Sequence, residues 1–139
     1  MRKTGIVVSF ILLVYGMSAR AATPLYDLNV NFSVPGQGFS HSRLLLSAGE
    51  TATITKLLGK KKTFVEVMAN DEMKNGKAGI LLSFTVGEME KGGQKKILST
   101  PRVFTEHNKM ASFKIHETNN KLKQILRLSL SVVAKKRHL

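Results

Sequence analysis

The chain has 139 residues, with 22 Lys and Arg against 9 Asp and Glu and a formal net charge of +13 at neutral pH. It has no cysteine, which excludes disulfide staples, thiolate zinc sites and thiol catalysis. A chain of this length can bury a core without staples. Its charge favours anionic neighbours: lipid phosphates, polyanionic glycans, nucleic acid or an acidic protein.

Arg2 and Lys3 open the chain, Gly5 to Met17 (GIVVSFILLVYGM) is a mostly apolar run, and Ala19-Arg20-Ala21 ends it with small residues. Basic start, apolar middle and A-x-A end are the order of a secretory signal. A membrane helix needs about 20 apolar residues, and this run is shorter. Residues 1–21 are therefore expected to be a cleavable signal peptide, and residues 22–139 a single domain delivered to the periplasm or beyond it. No cysteine follows the cleavage site, which excludes a lipoprotein. No second apolar span follows either, so the mature chain is expected to be soluble or peripherally associated, with no transmembrane span after cleavage. Loss of Arg2, Lys3 and Arg20 takes the net charge from +13 to +10.

Downstream, apolar and polar residues alternate at the strand period of two. Leu28, Val30, Phe32 and Val34 share one face against Asn29, Asn31 and Ser33. Shorter candidates follow at Arg43–Leu46, Thr51–Thr55 and Phe64–Ala69. Ile80, Leu82, Phe84 and Val86 then repeat the alternation against Ser83 and Thr85. Ile97–Thr105 and Ala111–Ile115 come next, and Leu126, Leu128, Leu130 and Val132 alternate with Arg127, Ser129 and Ser131. Turn residues separate them at Pro35-Gly36-Gln37-Gly38, Ala48-Gly49-Glu50, Asn75-Gly76, Gly92-Gly93, His107-Asn108 and Asn119-Asn120. Pro101 falls inside a strand candidate and belongs at an edge or a strand start. Lys56–Lys62 and Glu117–Gln124 have the composition for a helical turn but sustain no amphipathic stripe, and the second reads as a polar hairpin loop. The expected fold is all-β, an antiparallel β-sandwich.

Two halves of the chain also resemble each other. Aligned without a gap, Arg43–Ile54 (RLLLSAGETATI) lies over Arg102–Phe113 (RVFTEHNKMASF), with Arg on Arg, turn on turn and Ala52 on Ala111. NVNFSV (29–34) resembles LLSFTV (81–86), and VEVMA (65–69) resembles LSVVA (130–134), in the same order. The expectation is two copies of a four-strand unit, 25–69 and 78–135, packed face to face because each unit has a face it cannot bury alone.

The stretch Ile97 to Phe113 (ILSTPRVFTEHNKMASF) resembles a segment of the secretin family core, where a similar L-S-x-P-R-hydrophobic-x-T is followed by a turn and A-x-hydrophobic. Ser99, Pro101, Arg102, Thr105 and Ala111 hold those positions. Secretins build the outer-membrane rings of type II and III secretion and type IV pilus machines. The resemblance implies a small envelope protein sharing one strand–turn–strand module with such machines. The chain departs from the family after Phe113, running Lys114-Ile115-His116-Glu117 in place of a glycine-containing segment and long membrane-spanning strands. It is too short to build a secretin subunit.

Catalytic constellations are missing. His41, His107, His116 and His138 form no His-x-His or His-x-x-x-His pair, so no metal site is expected. Ser40-His41-Ser42 is a poor catalytic couple, because adjacent strand residues point to opposite faces. Glu88 and Glu90 share a strand face beside a glycine turn and read as solvated charges. No G-x-S-x-G, S-x-x-K or phosphate-loop pattern occurs, and no catalytic residue, cofactor or metal is assigned. The basic clusters remain: Lys60, Lys61 and Lys62; Lys95 and Lys96; Lys121 with Lys123; and Lys135, Lys136 and Arg137. Lysine-rich loops also guard sheet edges. The candidate contacts for an anionic ligand are Lys60, Lys61, Lys62, Lys95, Lys96, Lys135, Lys136 and Arg137. Tyr26, Phe32, Phe39, Phe64, Phe84, Phe104 and Phe113 mostly read as core, which leaves no stacking platform for sequence-specific nucleic acid.

The leading expectation is an exported, non-catalytic accessory or interaction protein of a bacterial envelope assembly, meeting an envelope protein partner through its sheet edges. The alternative is a binding module for an anionic envelope ligand, lipopolysaccharide or an acidic glycan. A second alternative is a secreted effector or hydrolase inhibitor.

Overall fold

The computed structural model describes residues 24–137, and residues 1–21, expected to be a signal peptide, and His138 lie outside them. Nine strands carry these residues: β1 (Leu25–Val34), β2 (Gly38–Ser47), β3 (Thr51–Leu58), β4 (Lys61–Lys74), β5 (Lys77–Met89), β6 (Lys95–Ser99), β7 (Arg102–Thr105), β8 (Met110–Thr118) and β9 (Gln124–Arg137). One short 3-10 turn, Lys91–Gly93, joins β5 to β6. Every pairing is antiparallel. One sheet has the order β2-β1-β9-β8, and the other has β3-β4-β5 with β6 and β7 both on the far side of β5. The two sheets pack as a sandwich.

The alternating windows become strands, and their apolar sets lie inside except Leu126, which falls outside the core cluster. Leu28, Val30 and Phe32 of β1 meet Ile80, Leu82, Phe84 and Val86 of β5 in one core, with Val65 and Val67 of β4 and Leu128, Leu130 and Val132 of β9. Phe84 and Phe113 touch across the sheets edge to face, ring centroids 5.2 Å apart at 61°. Burial of this interface is the main stabilising term, because apolar area removed from water contributes about 25 cal/mol per Å².

Ile97–Thr105 is broken in two. Thr100 and Pro101 lie between β6 and β7, and the Pro101 carbonyl accepts from Phe84 N–H at 2.9 Å. Proline offers no N–H to a ladder, so it sits in the break between two edge strands where none is required.

The two halves interleave instead of stacking as separate layers. The chain changes sheet at turns 48–50 and 106–109, so each half contributes a hairpin to both sheets. Gly49 and Asn108 occupy equivalent turn positions with φ of 78° and 65°. Their N–H groups donate to Ala69 and Ala134 carbonyls, at 3.1 and 2.7 Å. Glu50 N–H then donates to Ser47, and Lys109 N–H to Glu106, at 3.1 and 3.2 Å. Interleaving lets β1–β9 and β4–β5 pair down the middle of both sheets, with β2, β8 and β3 at three edges and the interrupted β6 and β7 at the fourth. The secretin-like segment accordingly is no hairpin: β7 lies in one sheet and β8 in the other.

Two aromatics, Phe39 and Phe104, depart from the core assignment, and Phe64 is fully buried but apart from the main cluster. Phe39 is 77% exposed. Phe64 and Phe104 lie on the outer face of the β3–β7 sheet, over glycines of β5. A Cβ on Gly87 would stand 2.7 Å from the Phe64 ring, and one on Gly79 would stand 2.4 Å from Phe104. Glycine leaves the sheet surface bare there, and the neighbouring ring covers it. Lysines cap both rings, Lys95 over Phe64 at 5.1 Å and Lys74 over Phe104 at 5.8 Å.

Candidate anion-binding end

The strand order sorts the loops onto two ends. Turn 35–37, turn 59–60, loop 90–94 and loop 119–123 all close hairpins at one end, here the hairpin end. Turns 48–50, 75–76 and 106–109 and the paired residues Leu25 and Arg137 lie at the other.

This division separates the candidate cations. Lys60, Lys61 and Lys62 meet Lys95 and Lys96 at the hairpin end: Lys62 pairs with Met89, and Met89 pairs in turn with Lys95. Two strand spacings put those lysine backbones roughly 10 Å apart. Lys91, Lys121 and Lys123 join them from the adjoining loops. Lys135, Lys136 and Arg137 end β9 at the opposite end and do not belong to the group.

Neither lysine group is wholly free. Lys61 lies 3.6 Å from Glu88, and Lys95 Nζ donates to Glu66 at 2.8 Å. Lys60, Lys62 and Lys96 form no ion pair among the described residues and are exposed. At the other end, Lys136 Nζ donates to Asp71 at 2.7 Å, and Tyr26 O–H donates to the same carboxylate at 2.6 Å. Burial first, then the Asp71 hydrogen bond, pushes the Tyr26 hydroxyl well above its ordinary value. Asp71, Lys136 and His107 line a cleft of about 400 Å³ there. The His107 Nδ1 accepts from Lys136 N–H at 3.2 Å.

A charge network beneath the hairpin end fixes its shape. Glu88 is an inward residue of β5, its side chain 12% exposed, and it is not the solvated charge its glycine-rich surroundings suggest. Arg127 reaches it from the opposite sheet, donating to Glu88 at 2.8 Å and to Glu117 at 3.1 Å. Strict alternation places Arg127 outside with Ser129. A bulge corrects this: Ile115 pairs with Leu128 and His116 with Leu126, leaving Arg127 unpaired and turned inward. The ion pair spans the two sheets where the apolar core runs out.

The loops are held by their own hydrogen bonds. The Asn119 side-chain oxygen accepts from Lys121 and Lys123 N–H at 2.9 and 3.0 Å, and Leu122 N–H donates to the Asn119 carbonyl at 3.0 Å. Gln37 accepts from Lys60 N–H at 3.1 Å, tying turn 59–60 to turn 35–37. The lysines thus stand on a braced platform.

Elsewhere, Asp27 holds Arg43 through two contacts of 2.8 and 2.5 Å on the outer face of the β2–β8 sheet. The Arg43 hydrogen bonds hold its carboxyl below the ordinary range, against the opposing effect of burial. Ser40 is buried and inward while His41 is exposed and bonded to Asn31, so the two face opposite ways. Among the described residues no three His, Asp or Glu side chains converge in a metal-binding group, and no helix is long and apolar enough to cross a membrane.

Sequence reasoning lists the basic clusters but cannot say which of them share an end, since that depends on strand order. It misses Glu88 and Arg127, whose meeting depends on a bulge that no residue type announces. No protein-family model, curated protein or solved structure matches the chain.

Proposed function

We propose that this protein is an exported, non-catalytic binding module of the cell envelope that engages an anionic ligand with its hairpin end. The observation that supports this most directly is the gathering of Lys60, Lys62 and Lys96, exposed and without an ion pair among the described residues, with Lys91, Lys121 and Lys123 on one end of the sandwich. Lysines carried by strand ends and by turns with hydrogen-bonded backbones hold their Cα positions, so an anion meets them with only side-chain ordering left to cost. The ion pairs of Lys61 and Lys95 keep those two side chains in place beside the free ones.

Retention on immobilised heparin, eluted with a salt gradient, tests this. Lys60→Glu, Lys62→Glu and Lys96→Glu together should move elution to markedly lower salt. Reversal of Lys135 and Arg137 at the opposite end should move it much less. Shifts in the three-to-two proportion of residues reversed would mean that net charge alone drives retention, and the hairpin-end reading would fall.

A second reading is an accessory protein of secretion or pilus-type machinery with an envelope protein partner. It draws on the secretin-like segment, which runs from β6 through β7 into β8; β6 and β7 form an edge whose outer side has no strand partner among the described residues. Crosslinking from a residue of β6 in intact cells tests it, and recovery of no envelope protein above background would overturn it.

A further inference from the structure

We infer that the anionic ligand is an acidic lipid bilayer, on which the sandwich stands end-on with its hairpin tips in the headgroup layer. The inference rests on the anionic-ligand reading and narrows it to one surface. Its ground is where the apolar exposure lies. Seven large apolar side chains are exposed among the described residues, and five of them, Phe39, Leu57, Ile97, Leu122 and Ile125, belong to strand ends and loops of the hairpin end. Only Met73 and Met110 lie at the other.

Three of the five are interleaved with the lysines. Leu122 stands between Lys121 and Lys123, Ile97 follows Lys96, and Leu57 pairs with Lys62. Leu122 is 85% exposed and has φ of 60°, a conformation that leucine seldom adopts. The hydrogen bonds of Asn119 hold it there, so the loop presents an aliphatic side chain at its apex by construction. Backbone strain of this kind is kept where the surroundings impose it, and a loop tip with nothing to pack against gains nothing else from it.

A polyanionic glycan or a free phosphate would satisfy the lysines and leave Leu122, Leu57 and Ile97 in water. Single-stranded nucleic acid would want aromatic faces for its bases, and four of the five apolar residues are aliphatic or lie beside lysine without a ring. An acidic bilayer serves both sets. Its phosphates meet the lysines, and apolar side chains reach about 5–10 Å into the boundary of headgroup and acyl chain. Each lysine near such a surface is worth about fivefold in affinity.

The chain has no tryptophan, so a single introduced indole reports its own surroundings. Leu122→Trp and Met110→Trp, one at each end and both at exposed positions, are titrated with vesicles of phosphatidylcholine alone or with one-third phosphatidylglycerol. Both reporters are read in the full chain, so an apolar leader that binds vesicles shifts neither indole by itself. The expected result is a blue shift of Leu122→Trp with acidic vesicles only, and none for Met110→Trp. Adding Lys60→Glu and Lys96→Glu should weaken the titration by at least about twentyfold, the worth of the two lost lysine charges before the added repulsion of the carboxylates. Tip-dependent heparin retention with no shift at residue 122 would overturn the bilayer inference and leave a soluble polyanion as ligand. Shifts at both ends, or a shift insensitive to the lysine reversals, would overturn the end-on geometry. Failure on heparin and vesicles alike would remove the anionic-ligand reading itself.

Discussion

The contact of Phe84 with Phe113 is where the sandwich can be tested most sharply, because one ring comes from each sheet. Phe84 is 2% exposed in the central strand β5, and truncating such a ring to alanine costs about 3–5 kcal/mol. Phe113 is half-buried on the edge strand β8, so Phe113→Ala should cost less, about 2 kcal/mol. The edge-to-face geometry at 5.2 Å contributes about 0.5–1.5 kcal/mol beyond area, and that coupling should emerge from the double-mutant cycle. At about 4 °C per kcal/mol for a domain of this size, Phe84→Ala should lower Tm by roughly 12–20 °C. Urea unfolding followed by far-UV circular dichroism measures all four proteins, since no tryptophan is present to report by fluorescence. Phe39→Ala, on the surface, serves as the control and should stay within about 0.5 kcal/mol of the parent. A coupling below about 0.3 kcal/mol, the additivity of separated sites, would refute the face-to-face packing of the two sheets at this point.

Two further outcomes follow from local geometry and titration. Gly87→Ala places a methyl 2.1 Å from the Lys96 carbonyl oxygen and 2.7 Å from the Phe64 ring, so β5 and β6 must separate. A loss of about 1–3 kcal/mol in chemical denaturation is expected, and an unchanged midpoint would show that Phe64 does not cover this glycine. The Asp27 carboxyl is held below its ordinary value by Arg43, with Arg137 and Lys135 adding to the effect. A depressed folded value means that its stabilisation is present above the unfolded value of about 3.9 and is lost as pH falls through the folded one. Glu50, raised by burial, works in the opposite direction over the carboxylate range. Asp27→Asn should therefore flatten the acid limb of the urea midpoint against pH, and parallel limbs for variant and parent would sink the assignment.

Much of the architecture can be read from periodicity. Except at Leu126 and Arg127, where a bulge breaks the period, and at Ile97–Thr105, which is split in two, the alternating windows are strands with the expected face inside, because a period of two leaves no other way to bury Leu28, Val30 and Phe32 together. The turn residues hold for the same local reason: Gly36, Gly49, Asn75, Gly76, Gly92, Gly93 and Asn108 all take positive φ. The turn at Gly59-Lys60 goes unnoticed among the turn candidates, because the lysines around it mask the signal of one glycine with φ of 62°. Strand ends are longer than the apolar windows, since the ladder continues through polar residues such as Asp71 to Lys74 once β4 and β5 are paired.

The sequence by itself determined the strands, their faces and the supply of lysines, because these depend on residues adjacent along the chain. Only the tertiary structure decided which strands pair, and with that which lysines share an end. Lys60 and Lys96 are far apart along the chain and meet through β5, whereas Lys135 to Arg137 are carried away by the direction of β9. The same holds for Glu88 and Arg127: one unpaired residue in β9 reverses the side chain, and a reversal of that kind is set by the partner strand, not by the arginine. Local composition fixes what each segment is, and long-range pairing fixes what it stands beside.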